Sequence, residues 1–294
     1  MSERLRPPRF GRPPGRFPVH THAVQAVPTP WPTPRPTPIL PAPMKELIAG
    51  RGLRKSFGSF EAVRGIDLTV PAGQVLGFLG PNGAGKSTTM RMLTGFLEPT
   101  AGTVHLAGIS LADDPIAAKR TFGYLPEGAP AYGDMRVEEF LLFVARTRGY
   151  DPGEARRRVD AAIDRLHLGP YRKQLVETLS KGYKRRTGLA QAILHDPPIL
   201  ILDEPTDGLD PNQKHEVREL IRRLGGERAV VLSTHILEEV EAVCTRAVII
   251  NEGRIVFDGT PDQLDRKAPS GVTRNRMDHV FRMLTTSDVA GGAR

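Results

Sequence analysis

Three separated stretches of this 294-residue chain carry side chains suited to holding and breaking a phosphoanhydride. The first is "GPNGAGKST", Gly80–Thr88, with the spacing G-x-x-x-x-G-K-[ST]. Its glycines Gly80, Gly83 and Gly85 let backbone N–H groups curl around phosphate oxygens, with Pro81, Asn82 and Ala84 completing the loop. The helix expected to start at its end adds a positive dipole. Lys86 would reach the β- and γ-phosphates, and the Ser87 hydroxyl, followed by Thr88, would ligate Mg²⁺. The bland reading is a glycine-rich turn that happens to precede a lysine; the apolar strand before it and the helix after it argue against that. The second stretch, "ILILDEP", delivers Asp203 and Glu204 at the end of an apolar run. Asp203 would hold Mg²⁺, and Glu204 would orient or deprotonate an attacking water. Such a pair at a strand end is equally well a surface feature until the phosphate loop is set beside it. The third, "LSTHIL", puts His235 just past another apolar strand, where it could donate to a γ-phosphate. A lone histidine there is usually structural, so its role leans on the other two stretches.

These residues need strands that end at one edge. "QVLGFLG", "PILILD" and "AVVLST" are apolar runs of strand length, and "KSTTMRMLTGF" and "QKHEVRELIRRL" have helical spacing. A further helix is expected from Ile236, then a hairpin in "AVIINEGRIVFDG". Strands alternating with helices predict an α/β fold with a mostly parallel sheet. Before it, "LIAGRGLRKSF", "EAVRGIDLTVPAG" and "GTVHLAG" read as short strands separated by glycine turns. Residues 115–178 read as helical, since "VEEFLLFVARTRG" and "GEARRRVDAAIDRLHL" repeat apolar residues at three and four. "RMDHVFRMLTTSD" reads as a short C-terminal helix, and no internal repeat is found.

Composition bounds the rest. The net charge is +8, yet residues 1–43 contribute +5 through six arginines and a single acid, leaving +3 for the other 251 residues. The remainder is only mildly basic, which argues against a nucleic-acid partner. Residues 1–43 also hold 13 of the 27 prolines and read as a disordered, extended tail, or a start-site artefact ahead of Met44. They lack the apolar core of a secretory signal. No run of about 18 apolar residues exists to cross a membrane. The single cysteine, Cys244, cannot form an internal disulfide.

One further stretch, "LSKGYKRRTGLAQ" (179–191), is odd for an amphipathic helix: small residues and three cations crowd its start. Together with the earlier motifs, in order, it resembles the nucleotide-binding subunits of ABC transporters, from about Met44 to Gly259. "GPNGAGKST" looks like that family's Walker A motif, "LSKGY" its signature motif, "ILILDEP" its Walker B motif, Gly208–Asp210 its D-loop, and His235 its switch histidine. The resemblance implies a P-loop ABC ATPase fold: a RecA-like core, an antiparallel β subdomain and a helical subdomain at about 128–190, in a domain spanning 44–265 with a short extension at 266–294. It also implies that Ser180, Lys181, Gly182 and Tyr183 complete the ATP site of a second subunit, with Lys184 adding positive potential and Asp210 communicating across the dimer. Phe57 would stack on adenine, though a core phenylalanine is the plainer reading.

Two departures stand out. The commonest signature is LSGGQ, so Lys181 and Tyr183 replace a small residue and a glutamine. At "YLPEGAP", Glu127 occupies the position of the Q-loop glutamine, where it would contact Mg²⁺ or the lytic water. "YLPE" with "LSKGY" resembles the ABC-2-type export branch, including gliding-motility and drug-export ATPases. The implied function is ATP hydrolysis that drives a separate membrane permease, with ATP and Mg²⁺ bound, a second copy as partner, and residues 128–178 as the docking region at the cytoplasmic face of the membrane. Arg120 and Arg136 fall near that face but read more safely as solvated; Tyr171 and His167 receive no role. The alternatives are a non-transport ABC ATPase acting on ribosomes or DNA, and a P-loop kinase or GTPase, which would leave "LSKGY" and His235 unexplained.

Overall fold

Val75–Leu79 buries all five of its residues, which only a strand covered on both faces can do. In the computed structural model, which describes residues 46–286, this strand lies inside a six-stranded sheet. The proline-rich tail, Met44 and residues 287–294 fall outside the described residues. In chain order the strands are β1 (Ile48–Phe57), β2 (Phe60–Val70), β3 (Val75–Leu79), β4 (Ala101–Leu106), β5 (Ile109–Ser110), β6 (Phe122–Leu125), β7 (Ile199–Asp203), β8 (Ala229–Thr234), β9 (Arg246–Asn251) and β10 (Arg254–Gly259). The six-stranded sheet runs β10-β9-β3-β8-β7-β6. It is parallel from β9 to β6, with β10 added antiparallel as the expected hairpin.

The helices are α1 (Lys86–Leu93), α2 (Pro115–Arg120), α3 (Val137–Thr147), α4 (Pro152–Arg165), α5 (Lys181–Ile193), α6 (Pro211–Gly225), α7 (Leu237–Val243), α8 (Pro261–Arg266) and α9 (Arg276–Thr285). Because side chains alternate along a strand, the central sheet feeds two apolar clusters. Leu200, Leu202, Val230 and Leu232 face the cluster built with α3 to α6. Ile199, Ile201, Val231 and Phe78 face the cluster closed by α1 and the second sheet. That second sheet, ordered β2-β1-β4-β5, is antiparallel throughout. Its first two strands are ten and eleven residues long, not short as their glycines suggest. The glycines are absorbed as register shifts between Gly50 and Leu53.

The expectation that residues 115–178 are wholly helical is corrected by β6. Phe122–Leu125 pairs in parallel with β7, and α5 covers it so closely that a side chain at Gly123 would lie 1.9 Å from the Ala192 carbonyl. A glycine inside four residues hides a strand from periodicity, and only the packing of α5 explains it. In the helical region proper, α3 and α4 are tied together by Arg172, which forks onto Glu138 at 2.7 and 2.8 Å and reaches Asp160 at 2.6 Å. That pairing holds the Glu138 carboxyl below its ordinary range.

Candidate active site

The phosphate loop joins the carboxyl end of β3 to the start of α1, where ligands bind in open α/β sheets. Two of its glycines are demanded by neighbours. A side chain at Gly80 would lie 2.4 Å from the Ile250 carbonyl; at Gly85, where φ is 108°, it would lie 2.7 Å from the Ala62 carbonyl. The loop is therefore pressed between β9 and β2, while Asn82 and Gly83 at its tip are exposed. Lys86 is buried, and its ammonium donates to the carbonyls of Gly80 and Pro81 at 2.6 and 3.0 Å. Burial lowers its pKa, opposed by the charges of Glu204, Asp203 and Glu127. Three acids from two segments, Asp203 and Glu204 at the end of β7 and Glu127 after β6, thus act on the loop lysine.

Asp203 ends β7 almost fully buried and accepts a hydrogen bond from the Ser233 hydroxyl of β8. Sequence reasoning passed over Ser233; its signal is a hydroxyl at the register position opposite Asp203. Glu204 follows with φ at 48°, the left-handed region that non-glycine residues seldom occupy. Its N–H donates to the Ser233 carbonyl at 3.1 Å, and its carboxylate lies 2.9 Å from Nδ1 of His235. The turn costs on the order of 1–2 kcal/mol, and here it faces the Glu204 carboxylate toward the end of the neighbouring strand. Behind them Glu239 is buried, accepting from the hydroxyls of Thr206 and Thr234, which braces the loop after β7 against the end of β8. Glu127 is exposed after β6, and the neighbouring Tyr124 hydroxyl is pushed up to about 12 by burial, then by Asp203. Phe57 ends β1 half-exposed, with the Lys55 ammonium 5.4 Å from its ring centre.

The signature segment lies at the start of α5. Ser180 caps that helix, its hydroxyl accepting from the Tyr183 N–H at 3.5 Å, and no acid occupies the first turn. Lys181 pairs with Asp207 of its own chain at 2.8 Å. A side chain at Gly182 would lie 2.6 Å from Gln213 Oε1, the movable end of a side chain on α6. Tyr183, expected among the groups facing a partner, stacks on Tyr171 with ring centres 3.8 Å apart, which gives Tyr171 a packing role the sequence did not reveal. Asp210 caps α6, accepting from the Gln213 N–H at 2.9 Å. Arg120 and Arg136 are exposed, as their solvated reading has it.

A nucleoside triphosphate is the ligand this arrangement suits: an amide-lined loop, a buried lysine, and an acid pair at the end of β7. The sequence model described as "ABC transporter" matches residues 63–207. The daunorubicin/doxorubicin resistance ATP-binding protein DrrA of Streptomyces peucetius is 38% identical over 227 residues, covering 77% of this chain and 69% of that protein. The Nod factor export ATP-binding protein I of Paraburkholderia xenovorans is 38% identical over 213 residues, covering 72% and 70%. A solved structure titled as an ATP-binding subunit of an ABC transporter superposes with a TM-score of 0.74 at 31% identity, covering 82% of this chain and all of that one. The chain belongs to the ATP-binding, ATP-hydrolysing subunits of ABC transporters.

Proposed function

We propose that two copies of this chain bind two ATP molecules between them and drive export through a separate membrane permease. The observation that carries the two-copy reading is where the signature segment points. Outside α5 itself, the described ion-pair and ring contacts of Ser180–Tyr183 go to Asp207 and Tyr171, and none to residues 80–88. A helix start with a serine cap, two lysines and no acid disfavours itself electrostatically and favours an external anion. The γ-phosphate held on a second copy's loop meets that description, with Ser180 and Gly182 as donors. ATP then joins the two copies, and its hydrolysis lets them part.

The oxygen donors of Ser87 and Asp203, with Glu127 near them, fit Mg²⁺, which takes one or two carboxylates together with substrate phosphates. Mg²⁺ held by these residues would supply neutralisation of the triphosphate's charge. Lys86 and the loop amides hold the phosphates in line, and Glu204 receives or orients the proton of the attacking water. His235, held by Glu204, senses the γ-phosphate, as Glu127 does from the other side. Phe57, exposed at the tip of the β1–β2 hairpin, is available for adenine to rest on.

Export as the direction is supported by the relatives' own names, one for drug resistance and one for export. No helix among the described residues is long and apolar enough to cross a membrane, so a permease supplies the path. Residues 128–178 are the proposed docking region, which places the subunit at the cytoplasmic face of the membrane.

The test mixes two defective chains. Lys86→Ala removes a loop lysine and Ser180→Arg blocks a signature. Each alone forms no intact site, whereas a mixed dimer has one site with both defects and one with neither. Occlusion of about one ATP per mixed dimer supports shared sites. Occlusion by Ser180→Arg alone, equal to that of the parent, contradicts them.

A further inference from the structure

Arg185 is a cation on the buried face of α5, only 3% exposed. Its guanidinium has partners on three other segments. Nη1 donates to the carbonyl of Pro126 at 3.3 Å, just before Glu127, and to the carbonyl of Asp203 at 3.4 Å, just before Glu204. Nη2 lies 3.5 Å from the carboxylate of Asp207, which also receives the Lys181 ammonium at 2.8 Å. A buried guanidinium without close pairing costs several kcal/mol, and each of these contacts is long for its kind. No single strong bond explains why the cation is here. What the position does provide is contact with both loops that meet a γ-phosphate and with the loop that holds Lys181.

We propose that Arg185 is a positioning residue linking occupancy of a chain's own nucleotide site to the setting of the signature motif that the same chain offers its partner. The inference rests on the two-copy reading above. When Glu127 moves to meet a γ-phosphate, the Pro126 carbonyl moves with it and draws Nη1 along. The guanidinium is a rigid planar fork, so a pull on one terminal nitrogen turns the other. Nη2 then shifts against Asp207, and Asp207 carries Lys181 and the first turn of α5. The hydrogen bond from Lys181, followed by the charges of Lys181 and Arg185, holds Asp207 below the usual carboxylate range, so it stays ionised through neutral pH. A lysine at 185 would keep the charge, but as a point donor it could not span both carbonyls and the carboxylate.

The relay is tested within one chain by amide hydrogen exchange on the full-length Glu204→Gln protein, diluted below self-association, with and without Mg-ATP. In this parent, Mg-ATP is expected to protect residues 80–93 and to change exchange across 181–193 by about tenfold. In Arg185→Lys and in Asp207→Asn, protection of 80–93 should persist while 181–193 exchanges at its nucleotide-free rate. Asp207 is 38% exposed, so Asp207→Asn is the variant that keeps the test sound if Arg185→Lys fails to fold. Faster exchange of α5 with and without nucleotide alike would mean that Arg185 only stabilises the helix, which overturns the relay. A parent with a protected loop and an unresponsive α5 overturns it too. Sedimentation of the same samples at high concentration separates the two readings. An α5 that responds in a chain that never self-associates keeps the relay and sinks the two-copy reading.

Discussion

At the scale of single residues, Glu204 and His235 show how chemistry is set by a backbone torsion. The left-handed turn at Glu204 brings its carboxylate to 2.9 Å from the His235 ring, at the ends of adjoining strands. His235→Ala is therefore expected to lower ATP hydrolysis by about 10² while leaving ATP affinity within a few-fold, measured by phosphate release and by equilibrium binding. Equal loss of both would mean that the histidine serves only to hold the nucleotide. A second histidine makes a stability prediction. His195 is buried under β6, its Nε2 3.0 Å from the Phe122 carbonyl and its Nδ1 without a partner. Burial, then the charge of Arg148, lowers its pKa to about 3. The unfolded chain binds that proton at an ordinary pKa of about 6.5, so below it the unfolded state takes up more protons than the folded one. Its contribution is fully present above pH 6.5 and is lost progressively as the pH falls toward 3. Between pH 7 and pH 5 the thermal midpoint of the parent should fall more than that of His195→Gln. Parallel curves would mean that His195 is not held neutral by the fold.

At the scale of elements, α5 packs on β6 with no room for a side chain at position 123. Gly123→Ala puts a methyl into the Ala192 carbonyl, and a backbone atom cannot move aside as a side chain could. We expect a loss of about 3 kcal/mol, read from chemical denaturation, against about 1 kcal/mol or less for Gly128→Ala, where φ is 77° but no atom lies within 4 Å. Comparable losses would show that α5 gives way to the methyl and that packing does not demand glycine at 123. The same elements explain what was legible beforehand. β3, β7 and β8 are continuous apolar runs, and their ends carry the reactive groups, so Lys86, Asp203, Glu204 and His235 could be placed from local pattern alone. β6 could not, because its glycine reads as a breaker until the helix that needs it is known. Arg185 and Tyr171 were missed for a related reason. Their partners lie 59, 18 and 22 residues away for Arg185, and 12 for Tyr171, distances at which spacing carries no signal. The placement of Arg185 three residues after Gly182 and four before Leu189, on the buried face, was the one hint available.

At the scale of the whole molecule, the two apolar clusters divide the labour. The one closed by α1 and the antiparallel sheet supports the phosphate loop, and the one beneath α3 to α6 supports the signature helix. Each chain thus carries a phosphate loop and a signature segment, and in the proposal these are the two halves of ATP sites shared between copies. No helix among the described residues is long and apolar enough to cross a membrane, and the proposal has the energy of closing two copies on ATP passed to a permease. Everything above depends on that closure. The most direct measurement is sedimentation of the full-length Glu204→Gln protein, whose hydrolysis is blocked, with Mg-ATP, with Mg-ADP and without nucleotide. The account predicts a shift from monomer to dimer with Mg-ATP only, abolished by adding Ser180→Arg. A protein that binds ATP through its phosphate loop and still sediments as a monomer would contradict it.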